Sequence, residues 1–187
     1  MTFKNVCAIF LLFFFPIMGQ AAVWQIVPDK STLTFTATQN NSPVTGQFKS
    51  FSGNITFDPN QLATSQVDIT VDLGSVTTSY KEVADTLVTD DFFDVKDFPK
   101  AEFKATQFKK INDKTYQANG TLTIRDKTLP VTLTFTLNQY TNVNAAVTGN
   151  ASLKRTAFGV GRGEWASTDN IKDDVKINFT LTATKKS

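Results

Sequence analysis

The sequence predicts an all-β fold, a small antiparallel barrel of about eight strands, and three observations carry that expectation. Apolar and polar residues alternate with a period of two along most of the chain. Short clusters of turn-forming residues separate the alternating runs, and a single segment departs to helical spacing. A period of two places successive side chains on opposite faces of a strand, so each run has one dry face and one wet one.

The first clear run sets Leu33, Phe35 and Ala37 against Thr32, Thr34, Thr36 and Thr38, and Phe51, Gly53, Ile55 and Phe57 repeat the pattern. Val67, Ile69, Val71 and Leu73 then oppose Asp68, Thr70 and Asp72. Tyr116, Ala118, Gly120, Leu122 and Ile124 form a fourth run. Leu129, Val131, Leu133, Phe135 and Leu137 form a fifth, opposed by Thr132, Thr134 and Thr136. In the last run, Val175, Ile177, Phe179, Leu181 and Ala183 alternate with Lys176, Asn178, Thr180, Thr182 and Thr184. Threonine is β-branched and polar, which suits the wet face.

Turns are expected at Asn40-Asn41-Ser42-Pro43, Asp58-Pro59-Asn60, Asn112-Asp113-Lys114 and Arg125-Asp126-Lys127. Connections this short favour antiparallel neighbours, and about eight strands can close around side chains or one small ligand. A two-sheet sandwich with a solid core shares the same periodicity, so the alternation leaves both open.

The exception to the pattern is Ser79-Tyr80-Lys81-Glu82, which reads as a capping box, with Tyr80, Val83, Ala84 and Leu87 at helical spacing behind it. Phe92, Phe93, Val95, Phe98 and Pro99 follow. A lone helix with an aromatic-rich connection can cover a barrel mouth or plug a sheet edge; both roles stand at this point.

The N-terminus has its own logic. Lys4 precedes an apolar run from Val6 to Met18, and Gly19-Gln20-Ala21 supplies small residues at the spacing of a cleavage site. That is the form of a secretory signal peptide, residues 1–21, leaving a domain over 22–187 in the periplasm or outside the cell. A transmembrane anchor is the competing reading, but the run is shorter than the ~20 residues of a bilayer span and contains Pro16.

Cleavage removes Cys7, the one cysteine, and the chain has no histidine. Disulfides, thiolate and imidazole metal sites, and Ser-His-Asp or Cys-His catalysis are therefore excluded from the mature chain. The formal net charge of +2 gives no basic footprint for nucleic acid.

Four longer segments stand out in order: GQFKSFSG from Gly46 to Gly53 with the Phe57-Asp58-Pro59 corner, DDFFDVKDFPKAEFKAT from Asp90, YQANGTLTIRDKTLPVTLTF from Tyr116, and LKRTAFGVGRGEW from Leu153. Together they resemble the YceI-like family of exported, lipocalin-like polyisoprenoid-binding proteins. The resemblance spans Trp24 to Lys185. It implies an extended lipocalin-like barrel with a helix near its mouth and an apolar tunnel holding an isoprenoid, quinone or similar long-chain lipid, with no cofactor beyond that ligand. Phe35, Phe48, Phe57, Phe103, Phe135 and Phe179 from the strands, with Phe92, Phe93 and Phe158 from the connections, are then the candidate tunnel residues.

Many relatives carry histidines about where Gln39 and Thr86 stand here. The histidine-poor pattern resembles the branch associated with membrane b-type cytochromes. That points toward a quinone, and toward transient contact with the membrane or such a cytochrome.

Other constellations have competing readings. Arg155, in Lys154-Arg155-Thr156 ahead of glycines 159 and 161, is a candidate for an anionic or carbonyl head group. The alternative is a structural arginine in a bent strand. Asp90, Asp91, Asp94 and Asp97 lack the spacing and glycine of a calcium loop and sit beside Lys96 and Lys100, as a solvated charged loop would. Glu102 and Glu164 are the candidate acids for a carboxylate-only hydrolase. A ligand-free structural or stress-related module is the remaining class.

Overall fold

The computed structural model describes residues 22–186, so the expected leader, residues 1–21, lies outside the described residues. All strands belong to one antiparallel sheet that closes on itself. The strands are β1 (Val23–Ile26), β2 (Thr32–Gln39), β3 (Ser42–Phe48), β4 (Phe51–Thr56), β5 (Gln66–Asp72), β6 (Val76–Thr78), β7 (Lys100–Lys110), β8 (Thr115–Ile124), β9 (Lys127–Tyr140), β10 (Asn144–Lys154) and β11 (Asp174–Lys185). Among the described residues one α-helix, α1 (Lys81–Leu87), lies between β6 and β7.

The expected eight is the number of barrel positions, three of which are each shared by two shorter strands. β11 pairs with β1 through Ile26↔Ala183 and with β2 through Phe35↔Ile177, so β1 and β2 lie end to end along it. β4 pairs with β1 and β3 with β2. β5 pairs with β4 and β6 with β3. Closure through β1 and β11 distinguishes this from the sandwich that periodicity alone left open.

The turn chemistry acts where expected. Asn40 and Asn41 take φ of 49° and 62° and join β2 to β3 as a two-residue hairpin. Asparagine tolerates this left-handed region better than most residues. Asn112 Oδ1 accepts from the backbone of Lys114 and Thr115, closing the β7–β8 turn.

The helix departs from its expected cap. Tyr80, not Ser79, is the N-cap, and it makes no side-chain capping bond. Ser79 lies one residue too early; Thr78 Oγ1 donates to the Tyr80 carbonyl instead. Val83, Ala84 and Leu87 face inward half-buried, while Tyr80 is exposed. Helix α1 packs on β6, the strand with a single partner, so it plugs a sheet edge. The connection after it reaches over one end of the barrel.

That end, the loop end, carries the 88–99 connection, the Arg125–Asp126 turn and the long 155–173 connection. At the other, the hairpin end, are the 57–65 connection, the β7–β8 and β9–β10 turns, and residues 22 and 186.

Candidate functional site

Inward side chains of the barrel surround a cavity of about 300 Å3. Every lining residue except Arg155 is apolar. Phe35, Phe48, Phe57, Phe92, Phe93, Phe103, Phe135, Phe158 and Phe179 all stand on its wall.

The wall is not uniform. At the loop end Phe35, Phe48 and Phe93 form a chain of rings with centroids 5.7 and 5.9 Å apart. At the hairpin end Phe57 meets Tyr116 and Phe135 edge-on at 5.5 and 5.7 Å, the geometry that aromatic quadrupoles favour. Trp24 Nε1 donates to the Phe57 carbonyl and fixes that corner.

Between the two clusters the inward residues are only half-buried. Val175, Ile177 and Phe179 alternate with exposed residues along β11, as Val131 does on β9, and Leu181 and Leu133 follow them half-buried. Leu122 and Val131 touch both clusters. An inward-facing strand residue in a solid core loses nearly all its accessible surface. These keep part of theirs, and they face the cavity.

Two glycines widen the lumen. Gly46 is paired with Phe35 and Gly149 with Phe179. A Cβ at Gly46 would stand 2.2 Å from Phe35 Cζ, and one at Gly149 would stand 2.3 Å from Phe179 Cζ. Each ring therefore lies flat over the partner strand instead of projecting into the lumen. Glycine here is a notch for a ring, a use of close approach.

Arg155 is placed by the turn after β10 and is buried. Nε donates to the Lys172 carbonyl, Nη1 to those of Val160 and Gly161, and Nη2 to those of Ser167 and Ile171. A guanidinium has five N–H groups, so none is left for a ligand head group. The head-group expectation thus gives way to a structural arginine that gathers the 155–173 connection over the loop end. Burial pulls its pKa down, with the Asp173 carboxylate opposing. Burial alone would raise the Asp173 carboxyl, but backbone and hydroxyl bonds from Thr156, with the Lys154 and Arg155 charges, hold it below the usual carboxylate range.

A second buried arginine, Arg125, stands in a turn tripeptide of the sequence. Its φ is 56°, and its Nη1 donates to the carbonyls of Asp90 and Phe92. Nη2 is 3.2 Å from Asp94 Oδ2, and the guanidinium lies over the Phe98 ring. No sequence signal distinguishes it from a solvated turn arginine. The aspartate connection is consequently pinned rather than free: Asp94 is mostly buried in this pair, and Asp91 accepts from the backbone of Gly161 and Arg162. Among the described residues no acidic group is arranged to hold a metal ion.

The two candidate catalytic acids are not brought together on the cavity. Glu102 pairs with Lys104 at 3.1 Å on the outer face of β7, and Glu164 is exposed in the turn at Gly163–Trp165. Gln39 and Thr86 also lie off the wall; Gln39 bridges to Ile171, and Thr86 bonds to the Glu82 carbonyl.

A YceI-like domain matches residues 24–183. The chain belongs to the YceI-like family. A UPF0312 protein of Pseudomonas putida (strain W619) is 28% identical over 137 residues, 71% of each chain. The crystal structure of Burkholderia cenocepacia BcnA is 34% identical with a TM-score of 0.81, covering 85% of this chain and 99% of that one. A polyisoprenoid binding domain from Saccharophagus degradans is 13% identical with a TM-score of 0.68, covering 90% of this chain and 100% of that one. Its likeness bears on the fold: the YceI-like barrel persists at that distance.

Proposed function

We propose that this YceI-like protein is an exported binding protein, not an enzyme, that holds one long-chain isoprenoid, quinone or similar lipid in its lumen for transport, storage or protection. One observation carries the reading: an apolar cavity wall whose middle residues stay half-buried although they face inward. Bare apolar wall favours an apolar occupant, because each ~40 Å2 of such surface removed from water is worth about 1 kcal/mol. The solved relative named as a polyisoprenoid binding domain shares the fold and agrees with this class of ligand.

The two buried arginines narrow the ligand. With Arg155 fully engaged and Arg125 turned to the 90–94 connection, the lumen offers no guanidinium to a charged head. A phosphate inside would lose its hydration without compensation, so a charged head group belongs at the solvent end of the ligand. A neutral quinone ring could enter further. Export rests on the leader pattern of residues 1–21, with cleavage after Ala21, and on the family resemblance. Contact with a membrane b-type cytochrome is retained as a partner for the quinone case.

Solvent extraction of the purified protein followed by mass spectrometry tests the reading. The expected result is one apolar lipid per barrel, and a rise in melting temperature when the stripped protein is given polyprenols or quinones. A protein that carries no lipid and gains no stability from either class would be a ligand-free barrel.

A further inference from the structure

We propose that the hairpin end of the barrel is a docking surface for an anionic lipid bilayer. Four large apolar residues are exposed among those described, and three of them, Val23, Ile111 and Val143, are on this end, with Val143 61% and Ile111 47% exposed. Lys109, Lys110, Lys114, Lys185 and Lys186 lie on the same end, against Asp58 and Asp113 as its acids. All five lysines are exposed, and none forms an ion pair among the described residues. The loop end is built the other way. Acids outnumber bases there, and Lys81, Lys127, Lys154, Arg125 and Arg162 each have a carboxylate partner, while Lys96, Lys100 and Lys172 have none among the described residues.

The backbone holds this surface together. Lys185 N–H donates to the Val143 carbonyl and Lys186 N–H to the Val23 carbonyl, so the last lysines lie between two exposed valines. The Lys114 carbonyl accepts from Leu137 N–H, joining the β7–β8 turn to the end of β9. Unpaired ammonium groups around protruding Ile and Val match a bilayer interface, where lysines meet anionic head groups and apolar tips enter the acyl boundary. An acidic protein partner would satisfy the lysines but not reward the separated apolar tips in the same way. The docking proposal does not depend on a lipid in the lumen, and its test uses none.

Sedimentation of the processed protein with phosphatidylglycerol–phosphatidylcholine vesicles reads the docking directly. Binding should exceed that to phosphatidylcholine alone by about fivefold or more at low salt, and weaken as salt screens the lysines. Reversing Lys110→Glu, Lys114→Glu and Lys185→Glu together should lower it at least about tenfold. Reversing Lys81→Glu, Lys96→Glu and Lys100→Glu at the loop end makes the same change in net charge and should leave binding within about twofold. Equal losses in both triple variants, or equal binding to neutral and anionic vesicles, would overturn the proposal. A dye reporter gives a second readout that needs no charge reversal. Ile111→Cys labelled with an environment-sensitive dye should shift on adding anionic vesicles, and Tyr80→Cys should not; the reverse order places the bilayer at the wrong end.

Discussion

The two ends of the barrel are sealed by different physics. At the loop end, long connections with few strand partners are held by arginines. Arg155 bonds five carbonyls between residues 160 and 172, and Arg125 bonds two carbonyls and Asp94. At the hairpin end two of the three connections, the β7–β8 and β9–β10 turns, are tight and continue the strands, and rings fill the interior around Phe57. A polar hub tolerates irregular backbone, because irregular backbone supplies the carbonyls it needs. An aromatic plug requires regular strands to bring its rings into register. Between the two seals the strands have nothing to grip, and the barrel stays hollow.

The loop end should be the more fragile to a single change. Arg155→Met leaves several buried carbonyls unpaired, each worth roughly 1–3 kcal/mol, for an expected loss of about 4 kcal/mol. Urea unfolding measures that loss, and hydrogen exchange should locate it in the 156–173 connection. Arg155→Lys should recover little, since an ammonium has three donors and no planar fork. A loss below about 1 kcal/mol would mean that the connection holds itself closed without the hub.

At the hairpin end Phe57→Ala removes the ring that touches Tyr116, Phe135 and Phe108, and should cost about 3 kcal/mol. Hydrogen exchange should then rise at this end and leave the 155–173 connection protected. Acid should separate the ends in the opposite sense. The folded-state pKa of Asp173 is depressed, so its stabilisation is present above the ordinary carboxylate range near pH ~4 and is lost as pH falls through the folded value. The loop end should therefore open first on acidification, and Asp173→Asn should flatten that pH dependence. Simultaneous exchange at both ends on acidification would count against a separate seal.

Legibility in the sequence follows the same division. The six alternating runs became β2, β4, β5, β8, β9 and β11, and the phenylalanines they point inward stand on the cavity wall. β10 was missed because its inward face is Ala145, Val147, Gly149, Ala151 and Leu153, small residues with little contrast against the wet face. β3 was hidden because Ser42-Pro43 reads as turn, whereas Asn40 and Asn41 alone make the turn. β7 was absorbed into the aromatic connection before it, although Ala101, Phe103 and Ala105 do alternate. The roles of the two arginines were out of reach for a different reason. What they bind is backbone carbonyl, which every residue carries, so no residue pattern records that the carbonyls converge.

Gly46→Ala probes the loop-end ring cluster through the barrel wall. The new methyl must displace the Phe35 ring from its notch, and the nearest backbone atom, the Thr77 carbonyl oxygen at 3.1 Å, must give by a few tenths of an ångström. Overpacking a solid core costs roughly 1–3 kcal/mol. Because the ring can swing into open lumen here, about 1 kcal/mol is expected, with a narrower bore. Ligand affinity should fall more for thick or branched tails than for slender ones, and thermal melts with and without added lipid would show it.

The smallest effect on stability is expected at Phe179, and it discriminates hollow from solid most sharply. Phe135 and Phe179 both stand on the cavity wall, but Phe135 stacks on Tyr116 at 5.6 Å and is buried, whereas Phe179 is half-buried and lies over Gly149. Phe135→Leu should therefore open a gap in packed rings and cost more than about 1 kcal/mol. Phe179→Leu removes atoms that already face empty space on one side, so fewer contacts are lost and the empty protein should change by less than about 1 kcal/mol. With lipid bound the order reverses, since the leucine leaves the tail less wall to touch. The melting shift produced by added lipid should then shrink for Phe179→Leu more than for Phe135→Leu. Equal costs for the two substitutions in stripped protein would mean that the middle of the barrel packs like its ends. The lumen would then be a seam in a solid core, too slight to hold a tail.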